Sequence, residues 1–181
     1  MSPGGSMTIN PSNKGQIMIG SFVRKFLLLA GLAIVWGVAA PVGAYAASAL
    51  LTVTSNDGAD VVSFDRDELE KLPATSFETS TPWTEGKTRF EGVKLGDILK
   101  AVKADGNEVV ATALNDYAVV LPVSDENGAD PIIAYKMNGS PMSVREKGPL
   151  WVMYPYDSDE ALQTETYQSR SIWQLNRLTV R

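Results

Sequence analysis

The side chains with chemistry to offer are carboxylates, hydroxyls and cations, because the 181 residues contain neither cysteine nor histidine. That composition excludes catalytic thiolates, disulfides, Cys or His metal centres and the Ser-His-Asp triad. Three consecutive hydroxyls, Thr79, Ser80 and Thr81, run into Pro82 and Trp83. Such a loop can hold a small polar ligand by its hydroxyls against an apolar wall, or be an ordinary strand end. Arg145 and Lys147, and likewise Lys87 and Arg89, can present positive charge to an anion or simply form solvated turns. Asp116, next to Tyr117, is a candidate general base. Asp157, Asp159 and Glu160 offer oxygen ligands to a hard cation without the spacing of an EF-hand. Trp151, Tyr154, Tyr156, Tyr167 and Trp173 either make an aromatic wall or fill a core. The sequence has no Gly-rich phosphate loop, paired-carboxylate motif or metalloprotease helix.

These residues need elements to position them. Leu50–Thr54 and Val61–Phe64 read as short strands around the turn Asn56-Asp57-Gly58. Asp65 and Glu68 have capping-box spacing and predict a short helix over Arg66 to Leu72 that Pro73 stops. Ser76–Thr81 is strand-prone. Leu95, Ile98, Leu99 and Val102 recur at i, i+3, i+4, i+7, the buried stripe of a second helix. Val109–Leu114, Tyr117–Val123 and Ile132–Met137 read as strands, with Asn138-Gly139 as a hairpin turn. Pro149–Tyr154 is an apolar run in which Trp151, Met153 and Pro155 alternate along a half-buried strand. Asp157–Gln168 reads as an acidic surface loop, and Ile172–Val180 as the last strand. Two helices among many short strands predict an α+β domain rich in antiparallel sheet.

Charge divides the chain. All 21 acidic residues lie at Asp57 or later, and only Lys14, Arg24 and Lys25 are charged before it. Phe26–Trp36 is apolar or small, Arg24-Lys25 gives it a positive flank, and Ala44-Tyr45-Ala46 and Ala47-Ser48-Ala49 follow Pro41. This is the order of a secretory signal peptide cleaved after Ala46 or Ala49, so a periplasmic or otherwise exported protein is expected. The alternative is a retained N-terminal membrane anchor, since the stretch up to Ala44 is about long enough to span a bilayer. The expected organisation is therefore an extension and signal over residues 1–46 and one domain over 47–181. After cleavage at Ala46 the domain carries 13 Lys or Arg against 21 Asp or Glu, a net charge of −8. Such a surface repels phosphate backbones, and no nucleic-acid partner is expected.

Five motifs then occur in a telling order: Phe90-Glu91-Gly92-Val93-Lys94-Leu95 with Ile98-Leu99; Asn115-Asp116-Tyr117 with Leu121-Pro122; Ala134–Met142; Gly148-Pro149-Leu150 with Pro155; and Ile172-Trp173 before Leu178-Thr179-Val180. Together they resemble the molybdopterin-binding domain of the sulfite oxidase family over about residues 50 to 181. The resemblance implies the sulfite-oxidase-like fold and, in the enzymes, a molybdenum pyranopterin used for oxygen-atom transfer or reduction of oxidised sulfur. It also implies a cysteine ligand to molybdenum in the loop where this chain has Thr79, Ser80 and Thr81. The family's Gly-Pro-Leu-Arg reads Gly148-Pro149-Leu150-Trp151 here, and its Lys-Trp pair reads Ile172-Trp173. A hydroxyl substitutes poorly for a soft thiolate, and a pterin phosphate needs charge-assisted donors. The expectation is thus a non-catalytic exported member of the family with no cofactor, binding a small ligand or a membrane-associated partner. Two alternatives stand beside it: a molybdopterin-dependent oxidoreductase without the thiolate, and a structural module that offers a sheet edge to a partner.

Overall fold

The computed structural model describes residues 48–181 apart from 56, 57, 59 and 126. The signal or anchor segment and the centre of the Asn56-Asp57-Gly58 turn lie outside the described residues. The described residues form ten strands: β1 (Leu51–Thr54), β2 (Val61–Phe64), β3 (Ala74–Ser80), β4 (Lys87–Lys94), β5 (Glu108–Ala113), β6 (Ala118–Pro122), β7 (Ile132–Met137), β8 (Ser140–Pro141), β9 (Trp151–Met153) and β10 (Leu175–Val180). Among the described residues three α-helices accompany them: α1 (Arg66–Glu70), α2 (Leu95–Val102) and α3 (Glu165–Arg170). One sheet has the order β2-β1-β10-β5-β6, the other β3-β4-β7-β8, with β9 also paired to β7. All pairings are antiparallel except β1 with β10. This is an α+β domain, and among the described residues no helix is long and apolar enough to cross a membrane.

Local chemistry accounts for most element boundaries. The Asp65 carboxylate accepts the Glu68 amide and the Glu68 carboxylate accepts the Asp65 amide, both at 2.8 Å, so the capping box starts α1 as expected. The stripe of α2 is buried at Leu95, Ile98 and Leu99, and the helix ends where Lys103 turns left-handed at φ 55°. β7 is buried from Ile132 to Tyr135 and is an inner strand, with β4 on one edge and β9 and β8 sharing the other. At Asn138 and Gly139, φ of 51° and 79° make the tight turn that hairpin twist favours. Gly92 sits at a register shift opposite β7, where a Cβ would lie 2.2 Å from the Ile133 carbonyl oxygen. One apolar core gathers side chains from both sheets and all three helices.

Three expectations need correcting. Residues 157–168 are not a surface loop: 3-10 turns at Tyr156–Ser158 and Glu160–Leu162 lead into α3, a third helix. The acidic residues of this segment face solvent while Tyr156, Leu162 and Tyr167 are buried, an amphipathic split hidden by the high charge. β9 is buried at all three positions rather than alternating. The last strand begins at Leu175 and not at Ile172, because Gln174 adopts a left-handed φ of 54° and the pairing with β5 shifts just beyond it.

Candidate functional site

The β3–β4 connection, the β5–β6 turn, α3 and the segment entering β10 enclose a cleft of about 560 Å³. Trp83 comes from the first, Asn115 and Tyr117 from the second, Glu165, Gln168 and Ser169 from α3 and Trp173 from the last. Ser171 and Ile172 are buried and close its floor. Each contributor is held by its own local bonding. The Asn115 side chain accepts the Tyr117 amide at 3.2 Å, and Asp116 takes a φ of 64° to complete the turn. Thr81 Oγ1 accepts the Trp83 amide at 3.1 Å and lies 2.8 Å from Thr84 Oγ1, which orients the tryptophan.

Beneath the cleft stands an aromatic cluster. The Trp83 ring centroid is 5.8 Å from that of Trp151 and 5.9 Å from that of Trp173, all tilted or edge-on. Trp151 packs edge to face on Phe90 at 5.6 Å, is fully buried, and donates its indole N–H to the Ser171 carbonyl at 3.0 Å. Lys147, in a left-handed φ of 72°, carries its ammonium 4.6 Å from the Trp173 ring centroid and 5.7 Å from that of Trp151. The Tyr156 hydroxyl bonds Ser171 below the floor, and its burial pushes its pKa up to about 12.

α3 is pinned from behind by a nearly buried carboxylate. Tyr167 donates its hydroxyl to Asp125 at 2.5 Å, and the Arg170 guanidinium stands 2.9 Å from the other Asp125 oxygen. Burial pushes the Asp125 carboxyl up, but the bonds from Tyr167 and the Asn127 amide, with the Arg170 charge, bring it below the usual carboxylate range. This bracing turns Tyr167 inward and leaves Gln168 on the cleft side of the helix.

The residues expected to carry function are distributed unevenly over this geometry. Trp83 and Tyr117 line the cleft, Trp151 underlies it, and Lys147 stands at its aromatic edge. Ser80 and Thr81 lie in an adjoining smaller hollow of about 230 Å³ that shares Gln168 with the main cleft. Their hydroxyls are committed within the chain: Asp157 accepts both the Ser80 amide at 3.1 Å and the Ser80 hydroxyl at 3.2 Å, with Lys87 at 3.4 Å. The Ser80 amide, its hydroxyl and the Lys87 charge keep the Asp157 carboxyl below its usual range. Thr79 is buried and accepts the Asp157 amide at 3.0 Å. Tyr154 is fully buried against Tyr167, in the core rather than on the cleft. Asp116 is turned out to Arg177 at 2.9 Å, Arg89 bonds Ser76 on the exposed side of β4, and Arg145 is exposed on a 3-10 turn. Asp159 accepts the Ala161 amide, and among the described residues no group of three Asp or Glu converges to hold a metal ion.

Glu165, Gln168 and Ser169 join the cleft without having been singled out from sequence, and Asn115 joins it from the Asn115-Asp116-Tyr117 motif without having been a site candidate. Only Tyr167, the one aromatic within an acidic stretch, marks the buried side of α3 and by elimination its cleft side.

A pterin phosphate requires cationic donors, and the cleft offers amides, hydroxyls and the Glu165 carboxylate. At the position where the resembled enzymes have arginine, Trp151 is sealed under three aromatic rings, and Ser80 spends its hydroxyl on Asp157. The donor set of this cleft therefore does not fit the cofactor. In a comparison with protein families, the model described as oxidoreductase molybdopterin binding domain matches residues 48–157. No curated protein matches the chain.

Proposed function

Because the chain belongs to the oxidoreductase molybdopterin-binding domain family, we propose that it is an exported, non-catalytic member that keeps the sulfite-oxidase-like fold and uses the cleft to bind a small ligand. The observation that carries this reading is the state of the two cofactor positions. Ser80 is bonded to Asp157 and Trp151 is buried, while Trp83, Tyr117 and Trp173 still wall a cleft large enough for a small organic molecule. No oxygen-atom transfer step is assigned, since no side chain here supplies the thiolate or the phosphate donors on which the family's chemistry rests.

The test has two arms on protein made in a host that synthesises the cofactor. Elemental and pterin analysis is expected to find molybdenum far below one per chain, and a thermal-shift screen of small metabolites is expected to find stabilising ligands. Near-stoichiometric molybdenum with dye-linked reductase activity would overturn the proposal. Export is tested separately by N-terminal sequencing of the native protein, with a start at Ala47 or Leu50 expected.

A second reading has its own support. Leu114, Tyr117, Val144 and Trp173 are each at least 39% exposed. Tyr117 and Trp173 line the cleft, and Leu114 and Val144 are tied through Gln174 to the segment that carries Trp173: Leu114 donates its amide to the Gln174 carbonyl, and the Gln174 side chain bonds the Val144 carbonyl. Such a rim suits a partner protein, membrane-bound in an exported context, that covers the cleft.

A further inference from the structure

We propose that the ligand of this cleft is a small organic cation with a compact amine or quaternary ammonium head. The inference rests on the ligand-binding reading above and names its ligand class. Among the described residues Glu165 is the one charged side chain in the cleft lining, and the other polar side chains there, Asn115, Gln168, Ser169 and Ser171, are neutral. Among the lining residues an anion would meet no positive partner, and the Lys147 ammonium at the edge is already held over the Trp173 ring. A cation meets a carboxylate and the electron-rich faces of Trp83, Trp173 and Tyr117.

The ring geometry selects the shape of the head. Trp83 and Trp173 lie 5.9 Å apart at 70° to each other, so they touch edge to face. Rings arranged in this way cannot sandwich a planar ligand between parallel faces, but they form a corner that a rounded head can fill from two sides. The chain's own Lys147 already displays the preference, its ammonium resting 4.6 Å from the Trp173 centroid. The negative charge of the domain adds a long-range attraction for cations and repels anions.

Tryptophan fluorescence of the protein purified from full-length expression reports on the cleft through Trp83 and Trp173, above the background of the other two tryptophans, Trp36 and Trp151. The probes are choline, its uncharged isostere 3,3-dimethyl-1-butanol, and inorganic phosphate. Choline is expected to give a saturable change with an affinity about tenfold or more above the isostere, as cation–π and ion-pair contributions of this kind predict. Glu165→Gln should lower the choline preference severalfold. Trp173→Leu, at a partly exposed position, should lower choline affinity about tenfold with an unchanged far-UV spectrum. An isostere that binds as tightly as choline, or phosphate binding without choline binding, overturns the cationic class and leaves the ligand-binding reading intact. No response to any probe, together with a negative metabolite screen, removes both.

Discussion

Restoring the family's arginine at position 151 should unfold the domain rather than rebuild a phosphate site. Trp151 is completely buried, packed on Phe90, Trp83 and Trp173. Removing a large buried aromatic costs about 3 to 5 kcal/mol. A guanidinium in its place can repeat one bond, to the Ser171 carbonyl, but leaves four further N–H donors and a charge without partners. The Lys147 ammonium, 5.7 Å from the indole it replaces, repels it. An unpaired buried charge adds about 3 kcal/mol or more. The total of roughly 6 kcal/mol is comparable with the whole stability of an ordinary domain. At about 3 to 5 °C per kcal/mol for a domain of this size, Trp151→Arg should lower Tm by about 15 °C or more, or give insoluble protein. Far-UV circular dichroism melts of Trp151→Arg beside Trp151→Phe decide it. The phenylalanine variant loses only the indole donor and part of the ring and should cost about 1 to 3 kcal/mol. Trp151→Arg melting within a few degrees of the parent would refute the account of a sealed position and reopen the phosphate site.

The Asp125 carboxyl has a lowered folded-state pKa, so its contribution to stability is present above the unfolded value of about 3.9 and is lost as pH falls through the folded value. Asp125→Asn should accordingly flatten the acid limb of a Tm-against-pH curve below about pH 4, and an unchanged limb would count against the bracing of α3. Ser80→Cys should not acquire molybdenum in a cofactor-producing host, because Asp157 still holds that loop and no phosphate donor is added; elemental analysis checks it. Gly92→Ala places a Cβ against the Ile133 backbone and should destabilise by about 2 kcal/mol or more, read from urea midpoints.

What could be read from sequence follows the range of the forces involved. The capping box at Asp65 and Glu68, the α2 stripe and the Asn138-Gly139 turn are decided within a few residues, and the structure realises all three. α3 was hidden because nine acidic or polar residues in 157–168 swamp the two anchors, Leu162 and Tyr167, and Tyr167 is tied to Asp125 some forty residues away in sequence. The cleft was half legible. Trp83 and Tyr117 stand out by type and neighbourhood, whereas Glu165 and Gln168 become cleft residues only when α3 packs beside the β5–β6 turn. Trp151 illustrates the opposite limit: its departure from the family pattern was plain in the sequence, but the cluster that seals it is assembled from four separate segments.

The parallel pairing of β1 with β10 has a consequence for how the chain is made. Thr52 pairs with Arg177 and Thr54 with Thr179, so the first strand of the domain finds its neighbour about 125 residues later, a contact of very high sequence separation. β10 is also the middle strand of its sheet, with β1 on one side and β5 on the other. Until β10 has been synthesised, the β1–β2 hairpin and the β5–β6 hairpin are two ribbons with nothing between them. A nascent chain therefore remains open along this sheet until β10 itself has emerged, and the two hairpins close into one sheet in that single late step.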